Sequence, residues 1–201
     1  MNDDVKLDSN LNKWSDLGHD QGECWHDADA NITFVHIPKN ASSFLKGCII
    51  ATGKFVYSKE FVPAKKYLIV LRDPLERWIS GISQFFSTNS MPDQMSEIFN
   101  VITYDDHTDL QSYFISQVNL DASDILYMDK NLRANMQAWI DRHDYSIYMP
   151  NISDLNPGST ELKTQFESVL QTHPEYEKKV RDFFQQDYDL IRKVKFINEN
   201  H

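Results

Sequence analysis

Basic residues are scarce in this chain: 20 lysines and arginines stand against 30 aspartates and glutamates, a formal charge of −10 over 201 residues. A nucleic-acid surface needs Lys and Arg gathered along one face, so broad nucleic-acid binding is excluded and any anionic ligand has to be held locally. Long apolar runs are also missing, with no stretch of about 18 apolar residues, which excludes a membrane span. The opening MNDDVKLDSN is acidic where a secretory leader is basic and then apolar, so a cytoplasmic location is expected. Cysteine is limited to Cys24 and Cys48, too few for a disulfide framework and expected to stay reduced. The seven histidines lack ligand spacing, and no metal site is expected.

What is present is enough for one core: 41% of residues are apolar and 12% aromatic, which at this length predicts a single domain. Residues 1–28 are polar, acidic and aperiodic and read as an arm, leaving 29–201 as the domain. Ile32 to Ile37 and Tyr67 to Leu71 have the β-branched, apolar character of buried strands. Each is followed by helical spacing, over Ser42 to Thr52 and Leu75 to Phe86. Phe55 to Tyr57 adds a short strand, Asp124 to Met128 another, Asn131 to Ile140 a helix, and Pro174 to Ile191 one long closing helix. Strands alternating with helices predict an α/β fold of three layers, a central, mainly parallel sheet flanked by helices. Trp25, Trp78 and Trp139 are read as core residues.

Two strand exits stand out. In His36-Ile-Pro-Lys-Asn-Ala-Ser-Ser-Phe44 the first strand ends in a loop that leads into a helix N-terminus, where free amides and the helix dipole favour an anion. Ala41, Ser42 and Ser43 are small enough for a phosphate to approach, and Lys39 adds a full charge. The G-x-x-x-x-G-K-[ST] spacing of a Walker loop is absent. The second exit, Arg72-Asp-Pro-Leu-Glu-Arg-Trp-Ile-Ser80, offers the fork of Arg72 and the hydroxyl of Ser80 to a second phosphate, with Glu76 and Arg77 read as structural ion pairs. In Asp105-Asp-His107, carboxylates beside the imidazole favour its protonated form and can orient the ring for proton transfer.

Together these segments resemble the sulfotransferases that use 3′-phosphoadenosine 5′-phosphosulfate (PAPS), and in motif the carbohydrate sulfotransferases of the chondroitin and HNK-1 type. Pro38 to Lys46 is similar to that group's 5′-phosphosulfate loop and Arg72 to Ser80 to its R-D-P-x-x-R-x-x-S element. His107-Thr-Asp-Leu-Gln111 resembles an H-x-x-x-Q segment, and Asp187-Tyr-Asp-Leu-Ile191 a closing D-Y-x-L-[FI] helix. Asn40 and Ala41-Ser42 depart from the commoner Thr, Ser or aliphatic residue and from Gly-Gly.

The resemblance implies a P-loop-like sulfotransferase fold and transfer of a sulfuryl group from PAPS to a hydroxyl or amine of a carbohydrate, lipid or small-molecule acceptor. It implies PAPS contacts from Pro38, Lys39, Asn40, Ala41, Ser42, Ser43, Phe44, Arg72 and Ser80. Lys39 would neutralise charge on the bridging oxygen, and His107 would act as base, with Glu60 as its rival. A late loop, Asn156 to Ser159 with Lys163, resembles the segment that covers the nucleotide. The alternatives are a nucleotide-dependent small-molecule kinase, which needs Mg²⁺ ligands and a Gly-rich Lys loop not found here, and a non-catalytic nucleotide-binding relative.

Overall fold

A computed structural model describes residues 23–147, 149 and 157–199. Five strands, β1 (Cys24–Asp27), β2 (Ile32–Val35), β3 (Val56–Ser58), β4 (Lys66–Leu71) and β5 (Ser123–Tyr127), form one sheet in the order β3-β1-β2-β4-β5. The helices among the described residues are α1 (Ser42–Ala51), α2 (Pro74–Thr88), α3 (Met95–Val101), α4 (Gln111–Phe114), α5 (Leu132–Arg142), α6 (Pro157–Thr172), α7 (Pro174–Phe183) and α8 (Gln185–Glu199). None is long and apolar enough to cross a membrane.

The sheet is mixed, which corrects the expectation of a mainly parallel one. β2 with β4 and β4 with β5 run parallel, whereas β1 is antiparallel to both β2 and β3. The cause is a turn too short for a crossover, since a parallel pair needs a dozen or more connecting residues. Asp27 Oδ1 accepts the amides of Asp29 and Ala30 at 3.0 and 3.1 Å, and Asn31 sits at φ 54°, so the chain reverses at once. Cys24–Asp27, assigned by composition to the polar arm, is therefore part of the sheet; residues 1–22 lie outside the described residues.

Both faces of the sheet are covered. Leu68 and Val70 of β4 join Phe44, Leu45 and Cys48 of α1 and Met136 and Trp139 of α5 in one core. Tyr67, Ile69 and Leu71 join Ile115 and Val194 on the opposite face. Each fully buried side chain of this size contributes about 1.5–3 kcal/mol. A third core, built from Trp78 and Ile82 of α2, Phe99 of α3, Phe166 of α6, Val180 of α7 and Phe184, anchors the helix that later lines the site. Trp25, Trp78 and Trp139 are all buried in these cores, and Cys24 and Cys48 are free and buried.

Two helical expectations change. The late loop is not a loop where it is described: Pro157–Thr172 is helix, with Lys163 paired to Glu167 at 3.8 Å, while Asn156 lies outside the described residues. The closing helix is two helices, α7 and α8, broken at buried Phe184 (φ −88°, ψ 16°). The break turns Asp187 inward, fully buried, where its carboxylate accepts the amides of Gln111 and Ser112 at 2.8 and 2.9 Å. It thereby supplies the N-terminal acceptor that α4 has no side chain of its own to provide. Asp187→Ala strands one buried and one partly buried amide donor and is expected to lower the unfolding free energy by at least about 2 kcal/mol. Urea denaturation measures this, and a loss below about 0.5 kcal/mol, the scale of a neutral surface change, contradicts the capping role.

Candidate functional site

The carboxyl ends of the parallel neighbours β2 and β4 lie side by side, where open α/β sheets bind ligands. After β2 the backbone twists through two left-handed residues, Lys39 (φ 67°) and Ala41 (φ 57°, ψ 30°). This conformation costs an L-residue roughly 1–2 kcal/mol. Ala41 caps α1 without a side-chain bond, and its carbonyl accepts the amide of Leu45 at 3.0 Å. The amides of Ala41, Ser42, Ser43 and Phe44 precede that first intrahelical bond, so the helix leaves all four donors free at its positive end.

Asn40 does not belong to this set. Its amide donates to Ile37 O at 3.3 Å, and its buried side chain donates from Nδ2 to Val70 O at 2.7 Å and to Gln111 Oε1 at 2.6 Å. It stitches the loop to β4. The Ser42 hydroxyl is likewise engaged, donating to Ile37 O at 3.0 Å, whereas Ser43 is exposed.

At the end of β4, Gln111 grips the main chain of Arg72 from both sides, accepting its amide at 3.0 Å and donating to its carbonyl at 2.9 Å. The Arg72 guanidinium is buried; Nη1 donates to Lys39 O at 3.1 Å, and Nε makes no hydrogen bond, with the Glu76 carboxylate 3.7 Å away. Asp73 caps α2 by accepting the Glu76 amide at 3.0 Å, with Pro74 in the first turn. One face of α2 then presents Arg77, Ser80, Gly81 and Gln84.

Arg77 was expected to form an ion pair and instead holds carbonyls. It is buried, with Nε on Pro38 O at 2.9 Å, Nη2 on Asp106 O at 3.1 Å, and Nη1 on Asp109 O. Burial lowers it to about 10 against the pull of Asp187, Asp109 and Asp106, and it stays charged at neutral pH. Gly81 allows the same loop to lie on α2: a Cβ there would meet His107 O at 2.2 Å.

His107 Nδ1 lies 3.1 Å from Asp105 Oδ2 and 2.9 Å from Asp106 Oδ1. Burial alone would lower the imidazolium, but hydrogen bonds to Asp105 and Asp106 outweigh it and raise the group to about 9. Lys39 Nζ donates to Gln84 Oε1 at 2.7 Å. Burial first, then Arg72, Arg77 and Lys163, lower the ammonium to about 8, with Asp105 opposing. A bound anion would restore its charge.

These groups line a cleft of about 550 Å³ that takes in Pro38, Lys39, Ala41, Ser42, Ser43, Phe44, Arg72, Ser80 and His107. Every site residue expected from the sequence faces it except Asn40. The rival base, Glu60, is exposed and lies outside the cleft, its carbonyl accepting from Cys24 and Ser58. His36 lines the cleft, with Nδ1 2.7 Å from Glu23 Oε2. Sequence reading missed Gln84 and Lys46 in the lining; Gln84 was detectable as the residue seven positions beyond Arg77, on the same helical face. Arg72 and Met128 also line a second cleft of about 660 Å³, whose lining includes Tyr127, Arg181, Tyr188 and Lys195, so the two clefts adjoin.

Gly81→Ala forces the backbone at His107 away from α2, and overpacking of this kind is expected to cost about 1–3 kcal/mol. Thermal denaturation checks it, and an unchanged melting temperature contradicts the contact. The His107 group sits above its ordinary value of 6.5 when folded, so its contribution to stability is complete below pH 6.5 and is lost as pH rises through about 9. Urea midpoints of the wild type should therefore fall across that window relative to His107→Gln; parallel curves contradict the Asp105–His107–Asp106 clamp.

No family model, curated protein or solved structure matches the chain.

Proposed function

We propose that the protein is a sulfotransferase that takes a sulfuryl group from PAPS and passes it to a hydroxyl or amine of a carbohydrate, lipid or small-molecule acceptor. The observation that carries the reading is the convergence in one cleft of the two strand exits read as phosphate sites. The free amides of Ala41 to Phe44 and the ammonium of Lys39 lie at one exit, the guanidinium of Arg72 and the hydroxyl of Ser80 at the other. A ligand with two separate phosphate positions is what such an arrangement selects.

The residues fit that ligand on their own chemistry. Arg72 keeps a buried Nε without a hydrogen bond, a donor that an anion would satisfy. Ser43 is exposed with its amide at the helix end. The adjoining cleft, reached past Arg72 and Met128, has the volume and the tyrosines to take a nucleoside.

PAPS, when bound, supplies the transferable sulfuryl group and a stable bisphosphate leaving group. The amides of Ala41 to Phe44 would hold its 5′ end, Arg72 and Ser80 would hold its 3′-phosphate, and Lys39 would place its charge against the negative charge that develops on the leaving group. His107, in its neutral form, takes the acceptor's proton on Nε2, with Nδ1–H held by Asp105 and Asp106.

Calorimetry with adenosine 3′,5′-bisphosphate and no metal is expected to give tight binding, and Arg72→Ala to weaken it by at least tenfold, the loss of one charge-assisted contact. Binding of ATP only with Mg²⁺ would point to a kinase instead. In transfer of radiolabelled sulfate from PAPS to a mixture of glycans, lipids and small alcohols, Lys39→Ala is expected to lower turnover about 100-fold. A folded Lys39→Ala protein with near-normal turnover removes Lys39 from the chemistry.

A further inference from the structure

Gln84 stands between the two ionisable groups of the cleft, with Oε1 2.7 Å from Lys39 Nζ and Nε2 3.3 Å from His107 Nε2. An amide has one accepting end and one donating end. In the arrangement observed, the Lys39 ammonium donates to the carbonyl and the NH₂ faces His107, which must then offer a lone pair at Nε2 and keep its proton on Nδ1. A protonated His107 has N–H groups at both nitrogens and would meet the NH₂ donor to donor. The amide must then turn over, its carbonyl taking the imidazolium and its NH₂ facing Lys39. Lys39 can accept that hydrogen bond only as the neutral amine.

We propose that Gln84 makes the charges of Lys39 and His107 alternatives, so that an anion bound against Lys39 fixes the amide in the observed sense and leaves His107 Nε2 free to act as a base. No proton passes through the amide: His107 releases one to solvent, Lys39 takes one from solvent, and Gln84 turns about its last torsion. The setting biases the pair from both sides. Burial disfavours both charges; Asp105 and Asp106 offset it at the imidazolium, whereas Arg72, Arg77 and Lys163 add to it at the ammonium, with Asp105 opposing them. Gln84 is thus a positioning residue that couples ligand arrival to readiness of the base, a purpose that rests on the functional reading above although the coupling can be tested without it.

The test is an NMR pH titration of the His107 side chain in the full chain. In the free protein, Lys39→Met is expected to raise the His107 midpoint by about one unit or more with Gln84 in place and by less than about 0.3 in the Gln84→Leu background. Gln84→Glu, whose carboxylate accepts from both cations at once, should likewise lose the dependence on Lys39, and it serves if Gln84→Leu does not fold. Equal shifts with and without Gln84 overturn the proposal. Adenosine 3′,5′-bisphosphate should lower the midpoint in the wild type and raise it in the Gln84→Leu protein, because a bound anion acting through space alone favours the imidazolium. A bisphosphate that binds and raises the wild-type midpoint overturns the coupling. One that does not bind overturns the functional reading, and the free-protein titrations then decide the coupling.

Discussion

The cleft depends on one buried cation, Arg77, that does not line it. Arg77 spends its fork on the carbonyls of Pro38, Asp106 and Asp109, and so ties the loop that carries Lys39 to the loop that carries His107. A guanidinium is suited to this task because it is planar, keeps its charge when buried and offers donors in fixed directions. Lysine could hold one of these carbonyls in position but not all three. Gln111 does the companion work at the end of β4, where it engages both main-chain groups of Arg72 and the side chain of Asn40. Asp187 holds Gln111 in turn by its amide. A chain of buried polar contacts therefore runs from the C-terminal helix to the loop after β2, and Arg72 Nε and Asn40 Oδ1 are the atoms along it left without a hydrogen bond.

This rigidity matters because the loop it holds is strained. Lys39 and Ala41 both occupy left-handed backbone, which only glycine adopts at little steric cost. The surrounding bonds overdetermine the conformation, and the helix that starts there leaves the amides of Ala41 to Phe44 without intrahelical partners. The same packing gathers cations in a chain of net charge −10. Lys39, Lys46, Arg72 and His107 line one cleft, where partial burial strengthens each charge locally.

Much of this was legible in the residues. The strand cores of Ile32–Val35 and Lys66–Leu71 announced themselves by continuous apolar character, and Pro38 to Phe44 and Arg72 to Ser80 by small, hydroxyl and basic residues at the exits. What escaped depended on contacts distant in sequence. The antiparallel β1 was hidden because Cys-Trp-His-Asp is too short to show a period. The break at Phe184 was hidden because its reason, the Gln111 and Ser112 amides, lies more than seventy residues earlier. Asn40 looked like a ligand residue because nothing local reveals that its side chain turns inward to Val70 and Gln111. Gln84 was overlooked because a glutamine on a helix has no chemistry until Lys39 and His107 are placed on either side of it.

The most direct test of the account is the structure of the protein with adenosine 3′,5′-bisphosphate bound. The account predicts the 5′-phosphate on the amides of Ala41 to Phe44 and beside Lys39, and the 3′-phosphate on Arg72 and Ser80. The nucleoside should extend past Met128 into the adjoining cleft. A bisphosphate bound away from these two strand exits, or with both phosphates at one of them, would contradict it.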